Sequence, residues 1–367
     1  MDKCDFALVE KILNSGETVD TGAQKIVIKN VPDEGDFVGK MDPREFFIRS
    51  AIYAFQKSMP AQFSVAGMRQ TTKTYCQDMC KGEITEDAID LTCGGRSFKL
   101  FSYMPSDKAD ELLPVMVYIH GGSFMASKAE FYKEPCRYVA ENLGCRVFNV
   151  DYSLAPENIY PAAIEDILAA VEYIYDNAAS LKVDASKIGL FGDSAGANLA
   201  LAAIIDNKTE VKFSYAGLFY PCVDLYSRDN LYDWKLDMYD VGDEQKEIIS
   251  SRLQLGRADG LGNNDLMAAI LTAYSGGRYE DVKRNPDVSM IYADLGNMPA
   301  TGVFTAEYDG LRIQAEYYSR LLDKAGVPNT HIRYRGVSHS FLDYFGILPQ
   351  AQAALLEMCE QIKKVWG

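Results

Sequence analysis

The chain has 367 residues, of which 48% are hydrophobic, and it carries a formal net charge of −15. This length and apolar content are enough to bury a large core, in one large α/β domain or in two smaller ones. The negative charge opposes the approach of phosphate backbones and of anionic lipid surfaces, so we expect neither a nucleic-acid-binding protein nor a membrane-docking one.

The N-terminal sequence and the cysteines indicate where the chain works. Asp2, Asp5 and Glu10 interrupt any apolar core of a signal peptide, and no run approaches the roughly 18 apolar residues of a membrane span. We therefore expect a cytoplasmic protein whose eight cysteines are mostly free thiols. Cys76 and Cys80 could share a helix face, but no Cys-x-x-Cys pair or His cluster accompanies them. We expect no metal and no cofactor.

The pattern of the chain changes near residue 83. Residues 1–82 are mixed in character, with a helix predicted over residues 43–55. Beyond them, continuous apolar runs alternate with helix-like segments, which is typical of strands buried on both faces of a parallel sheet. Strands are predicted over residues 115–119, 146–150, 188–191, 216–220 and 300–306, and helices over residues 162–177, 197–206 and 314–324.

This alternation predicts an α/β domain over residues 83–367, with helices on both faces of a mostly parallel sheet. Its ligand site should lie beyond the carboxyl ends of the strands. Residues 225 to about 285 break the alternation and are too long for a simple connection. We interpret them as a helical insertion that forms a cap together with residues 1–82, and an ordinary pair of surface helices is the alternative.

Two glycine-rich motifs follow predicted strands. Residues 192–196 read GDSAG, between a buried strand and an alanine-rich helix, and a tight strand–turn–helix bend of this kind exposes a nucleophilic serine, here Ser194. Residues 120–123 read HGGS and follow the strand at 115–119. Such a loop supplies backbone N–H groups to an oxyanion, and the expected donors are Gly121, Gly122 and Ala195. Each motif alone could be a plain turn.

A serine nucleophile needs a base, and the chain contains three histidines. His120 belongs to the glycine loop, and His331 lies in a strand-like segment where a packing role is expected. His339 follows that segment in a loop, a position from which a base could reach Ser194. Asp309 follows the strand at 300–306 and lies between the serine and histidine in chain order, as the orienting acid must; Glu307 is its nearest rival.

Taken in order, these motifs resemble those of the bacterial hormone-sensitive-lipase-like esterases over residues 83–367. The resemblance implies an α/β-hydrolase fold with a helical cap and a serine esterase with a Ser194–His339–Asp309 triad. The family's HGGG, DYRLAPE, GDSAG, D-P-L and G-x-x-H-x-F motifs stand here as HGGS at 120–123, DYSLAPE at 151–157, GDSAG at 192–196, DGL at 309–311 and GVSHSF at 336–341.

The departures from the family pattern remove no catalytic group. Asp151 and Glu157 of the DYSLAPE segment are expected to bond loop backbone rather than to take part in catalysis. Ser123 could narrow the acyl pocket, which leaves the acyl preference open. The departures are Ser123 for Gly, Ser153 for Arg, Gly310 for Pro and Ser340 for Gly.

Three functions follow from these features. The first is hydrolysis of small, short-chain acyl esters through an acyl-enzyme. The second is deacetylation of acetylated sugars, for which Tyr226, Tyr232 and Tyr239 of the cap would supply stacking faces, with cap packing as the plainer role. The third is ligand binding without catalysis, which retention of His339 disfavours. The expected partner is a small-molecule ester, and a homo-oligomer is left open.

Overall fold

The computed structural model describes residues 2–33, 35–58, 64–225, 236–253 and 266–367. Within these ranges the chain forms a ten-stranded sheet with helices on both faces. The strands are β1 (Glu17–Asp20), β2 (Lys25–Lys29), β3 (Ile84–Cys93), β4 (Arg96–Pro105), β5 (Leu113–Ile119), β6 (Arg146–Asp151), β7 (Val183–Asp193), β8 (Phe213–Phe219), β9 (Ala300–Tyr308) and β10 (Asn329–Ser338).

The helices connect these strands, and some of them lie in the described part of the long segment between β8 and β9. Two of them, α6 and α10, are single turns. The helices are α1 (Phe6–Leu13), α2 (Pro43–Lys57), α3 (Val65–Thr71), α4 (Lys133–Leu143), α5 (Ala162–Asp176), α6 (Ala178–Leu181), α7 (Ala195–Ile205), α8 (Lys246–Leu253), α9 (Leu266–Ser275), α10 (Tyr279–Val282), α11 (Arg312–Lys324) and α12 (Pro349–Trp366).

The sheet is parallel through its centre and antiparallel at its edges. Its strand order is β1-β2-β10-β9-β8-β7-β5-β6-β4-β3. Every pairing from β2 to β6 is parallel, whereas β1 with β2, β6 with β4, and β4 with β3 are antiparallel. The carboxyl ends of the central strands therefore meet at one edge, where a ligand site of such a sheet forms.

Two hydrophobic cores lie on the two faces of the sheet, and β5 shows how one strand serves both. Val115, Val117 and Ile119 enter the core with α5, α7 and α11, whereas Met116 and Tyr118 enter the core with α1, α4 and α12. Side chains alternate between the faces of a strand, so a strand covered on both sides has to be apolar at every position. The predicted strands are all present for this reason.

The N-terminal segment departs from the sequence-based division of the chain. Strands β1 and β2 form a hairpin, and β2 pairs in parallel with β10, with Ile26 opposite His331. The boundary at residue 82 is therefore wrong for this hairpin, which belongs to the sheet of the predicted 83–367 domain. The pairing partner lies some three hundred residues away in the chain, so local pattern could not reveal it.

The predicted helices also have counterparts in the structure. Helices α5, α7 and α11 begin and end within two residues of their predicted bounds. The described part of residues 225–285 contains helices α8, α9 and α10. No helix within the described ranges is both long and apolar enough to cross a membrane.

Candidate active site

Ser194 stands at the sharp bend between β7 and α7. Its backbone has φ 53° and ψ −119°, a conformation that costs an L-residue free energy and needs support from its surroundings. The flanking glycines make the bend possible, because strand and helix touch there. A Cβ on Gly196 would lie 2.1 Å from the carbonyl oxygen of Ile119, and one on Gly192 would lie 2.7 Å from the backbone of Gly196. The GDSAG motif is therefore a steric requirement of this bend.

His339 lies next to Ser194, and Asp309 lies next to His339. The Ser194 Oγ is 2.9 Å from His339 Nε2, and His339 Nδ1 is 2.9 Å from Asp309 Oδ2. Asp309 follows β9 and His339 follows β10, and these two strands are neighbours in the sheet. The three side chains are far apart in the amino-acid sequence. The parallel strands bring them together at one edge of the sheet, where they form a chain of two hydrogen bonds.

The rival carboxylate and Asp309 have different environments. Asp309 is buried, and its Oδ1 accepts from the backbone N–H of Leu311 at 2.8 Å, which leaves Oδ2 to face His339. Glu307 Oε2 instead accepts from the backbone N–H of Gly336, and burial raises the pKa of this carboxyl. Asp309 is thus the carboxylate that contacts the imidazole.

The two remaining histidines lie in the interior. His120 has its Nδ1 2.7 Å from the carbonyl oxygen of Gly121, and its ring stacks on Tyr152 with centroids 4.3 Å apart. His331 sits in β10 with Nε2 2.9 Å from Thr305 Oγ1. Burial lowers the pKa of His331 to about 4 and also lowers the pKa of His120, so both rings are held neutral. The packing role predicted for His331 matches these contacts.

In the glycine loop, one of the predicted oxyanion donors, Gly121, has its N–H bonded to another residue. The single N–H of Gly121 donates to Asp193 Oδ1 at 2.7 Å, so it is already used and Gly121 leaves the donor set. No described residue accepts from the N–H groups of Gly122, Ser123 or Ala195. Ser123, whose φ is 55°, was not among the predicted donors, and the substitution of serine for glycine there leaves the backbone N–H in place.

Asp193, the residue before Ser194, is the acceptor that occupies the Gly121 N–H. It is buried, and its Oδ1 also accepts from the hydroxyl of Tyr118 at 2.6 Å. Burial raises the pKa of this carboxyl, and the donated hydrogen bonds oppose that rise. The carboxylate ties the glycine loop to the nucleophile bend. A buried acid needs hydrogen-bond donors, and the Gly121 N–H and the Tyr118 hydroxyl meet this requirement.

A second, half-buried acid, Asp343, lies in the turn after His339. Asp343 accepts from the hydroxyl of Tyr132 at 2.8 Å. Burial, and then the nearby Asp193, raise the pKa of Asp343 to about 7. Two further acids, Asp193 and Asp343, therefore lie near the Ser194–His339 pair in addition to Asp309. Asp343 was not among the residues predicted from the sequence.

The DYSLAPE segment is structural, although one of its acids has an unexpected partner. Asp151 Oδ1 accepts from the backbone N–H of Ala129 at 2.8 Å, as expected. Glu157 binds Arg69 of α3 through two hydrogen bonds of 2.8 and 2.7 Å, and it also accepts from its own backbone N–H, in line with the predicted bond to loop backbone. Arg69 also donates to the carbonyl oxygen of Met125 at 2.7 Å, which fastens the N-terminal segment to the loop after the glycines.

The tyrosines proposed for sugar stacking receive no support. Tyr226 and Tyr232 lie outside the described residues. Tyr239 is buried, and its hydroxyl donates to the carbonyl oxygen of Asp309 at 2.8 Å. Within the described ranges, no group of three or more His, Cys, Asp or Glu residues is placed to hold a metal ion.

Comparisons with known proteins agree with this geometry. Residues 116–343 match the family with the alpha/beta hydrolase fold. An acetyl esterase of Salmonella schwarzengrund (strain CVM19633) is 30% identical over 269 residues, covering 73% of this chain and 76% of that protein. An arylesterase of Saccharolobus solfataricus is 32% identical over 238 residues, covering 62% and 68%.

Solved structures give the same result. The hyperthermophilic esterase of the archaeon Pyrobaculum calidifontis has a TM-score of 0.71 at 30% sequence identity, over 89% of this chain and 98% of that one. The chain belongs to the α/β-hydrolase fold family. The predicted fold class is thus confirmed, and the chain is an ester-hydrolysing enzyme acting on small-molecule esters.

Proposed function

We propose that this protein hydrolyses short-chain carboxylic esters with Ser194 as nucleophile, His339 as general base and Asp309 as the acid that orients the base. The observation that carries the proposal is the continuous contact from Ser194 Oγ through the imidazole to Asp309, with 2.9 Å at each step. Nucleophile, base and orienting acid within hydrogen-bond reach are the geometric signature of covalent catalysis by serine.

The reaction proceeds in two halves. His339 Nε2 takes the proton of Ser194 as Oγ attacks the ester carbonyl, and the imidazolium then gives that proton to the departing alcohol. The acyl group now sits on Ser194. His339 next takes a proton from water, whose oxygen attacks the acyl carbon, and the proton returns to Ser194 as the acid leaves. Asp309 holds the imidazole through Nδ1 throughout.

The oxyanion of each tetrahedral intermediate needs fixed donors. We assign these to the backbone N–H groups of Gly122, Ser123 and Ala195, because none of them has an acceptor among the described residues. Gly122 has φ 120°, and a Cβ there would lie 2.1 Å from the carbonyl oxygen of Ala126, so this position requires glycine. Loss of one such donor typically costs about 100- to 1,000-fold in turnover.

A preference for short acyl groups belongs to the same proposal. Phe124 follows the donor loop directly, is buried, and stacks on Tyr274 of α9 with ring centroids 4.1 Å apart. This aromatic pair packs the residue after the donor loop against α9 of the insertion. The acetyl esterase relative supports a small acyl group in the substrate. The cytoplasmic location expected from the N-terminal sequence is likewise proposed.

The test is a series of nitrophenyl esters from acetate to palmitate, assayed with the wild-type protein and Ser194→Ala. We expect kcat/KM to be highest for acyl groups of about two to six carbons, because a closed pocket discriminates by about 1–3 kcal/mol per methylene. Ser194→Ala should retain less than about a thousandth of the activity while circular dichroism stays unchanged. Equal turnover of palmitate, or an active Ser194→Ala protein, would contradict the proposal.

A further inference from the structure

The carbonyl oxygen of His339 is held by two arginines from two different helices. Arg49 of α2 donates to it through Nη2 at 2.9 Å, and Arg252 of α8 donates through Nη2 at 3.0 Å. Arg252 also donates from Nε to the hydroxyl of Ser338, the residue before His339, at 3.1 Å. One guanidinium thus spans two consecutive residues of the loop that carries the imidazole.

The same insertion contacts the other end of the His339–Asp309 pair. Tyr239 precedes α8 in the chain, and its hydroxyl donates to the carbonyl oxygen of Asp309 at 2.8 Å. Residues of the segment between β8 and β9 therefore bond to the backbone carbonyls of both partners. Neither contact involves a reacting atom, so each can act only by fixing where the backbone, and with it the side chain, is held.

The two arginines differ in what balances their charge. Arg49 is paired with Glu45, whose Oε1 lies 2.8 Å from its Nε and also accepts from the backbone N–H of Ser338 at 3.0 Å. Arg252 forms no ion pair with a described carboxylate, and its donors go to Ser338 and His339. Burial and then the charge of Arg49 lower the pKa of Arg252 to about 9.

A half-buried cation that forms no ion pair within the described residues is unfavourable for folding, because the more distant charges of Glu45 and Asp309 offset only part of its desolvation. A purely structural position would tolerate an apolar side chain of similar length there at least as well. Destabilised arrangements of this kind concentrate at functional sites, where stability is given up for geometry. The contacts of Arg252 and Tyr239 all converge on the His339–Asp309 pair.

We infer that Arg252 and Tyr239 are positioning residues of the insertion that hold His339 and Asp309 in register with Ser194. The inference rests on the proposed Ser194–His339–Asp309 chemistry. The imidazole must receive and return a proton across 2.9 Å to Ser194. A displacement of about 1 Å at such a site costs about 100-fold in rate, so anchoring of the loop backbone has a direct effect on turnover.

The test uses substitutions at these two residues, with nitrophenyl acetate as substrate. Arg252→Met keeps an unbranched apolar chain, and we expect kcat to fall about tenfold with KM within about twofold, since Arg49 still holds the carbonyl. Its melting temperature should be unchanged or higher. Arg252→Ala should show the same loss of kcat, and added methylguanidinium should restore part of it, because alanine leaves room for the cation.

Tyr239→Phe is a second, independent test of the inference, and it has a matched control. It removes only the hydroxyl that bonds to Asp309, and kcat should fall several-fold. The control is Tyr53→Phe, which removes a hydroxyl of α2 that donates to Glu247 of α8 at 2.8 Å and has no contact with the three site residues. This control should leave kcat unchanged.

Three results would overturn the inference. They are an unchanged kcat in both Arg252→Met and Tyr239→Phe, a loss confined to KM, and an equal loss of kcat in Tyr53→Phe. If Arg252→Met fails to fold, Tyr239→Phe against Tyr53→Phe decides alone. Failure of the proposed chemistry itself is distinguished by Ser194→Ala, which would then stay active whatever the Arg252 variants do.

Discussion

The stability of this enzyme should depend on pH through Asp343. A single substitution at that residue should remove this dependence. Burial near Asp193 raises the pKa of the Asp343 carboxyl from 3.8 to about 7. The folded protein therefore binds a proton that the unfolded chain releases between about pH 4 and pH 7. The stabilisation is complete below about pH 4, is lost as the pH rises through about 7, and is absent above that value.

The magnitude follows from the size of this shift. One pKa unit corresponds to 1.36 kcal/mol, so lowering the pH from 8 to 5 should add about 2–3 kcal/mol to the unfolding free energy through this group. Asp343→Asn keeps an oxygen that can accept from Tyr132 but cannot ionise. The difference in unfolding free energy between Asp343→Asn and wild type should thus fall by about 2–3 kcal/mol from pH 8 to pH 5.

Urea denaturation followed by circular dichroism at pH 5, 6, 7 and 8 measures this difference. Asp87→Asn is the control, because Asp87 is exposed on β3 and its replacement should give the same offset at every pH. Parallel stability curves for Asp343→Asn and wild type would refute the reasoning, since they would mean that Asp343 ionises alike in the folded and unfolded chains.

Two further predictions concern backbone contacts. Gly196→Ala should lower the unfolding free energy by about 3 kcal/mol or more, because its Cβ meets backbone oxygens at 2.1 and 2.5 Å, and thermal melting against Gly296→Ala, where the nearest atom is 3.4 Å away, checks this. Equal melting temperatures would contradict it. Deleting residues 2–30 should cause aggregation detectable by light scattering, because it removes α1, β1 and β2 and exposes the edge of β10. A stable, non-aggregating truncated enzyme would show that this edge needs no cover.

The sequence predicted the central strands and the residues of the candidate site because both leave local signals. A strand covered on both faces must be apolar throughout, as residues 115–119 are. Ser194, Asp309 and His339 each directly follow such a strand or strand-like run, and parallel strands end at the same edge. Fold class and the three side chains could thus be predicted without knowledge of any long-range contact.

What escaped prediction depends on partners distant in sequence. The hairpin of β1 and β2 is short, its one apolar run is only residues 26–28, and its place is set by β10. The Gly121 N–H was assigned to the oxyanion because its acceptor, Asp193, reaches it only through the folded bend. The hydrogen bond from Arg252 to the carbonyl oxygen of His339 likewise joins two residues that no rule of sequence spacing relates.

The most direct test of the central claim is to trap the nucleophile. A nitrophenyl alkylphosphonate reacts when a serine oxygen attacks phosphorus and nitrophenolate leaves, and the product imitates the tetrahedral intermediate. We predict stoichiometric release of nitrophenolate, complete loss of esterase activity, and a phosphonate found by peptide mass spectrometry on Ser194 alone. His339→Ala should slow the labelling by several orders of magnitude, because the proton of Ser194 then has no acceptor. Labelling of another residue with loss of activity, or full activity after Ser194 is labelled, would contradict the account.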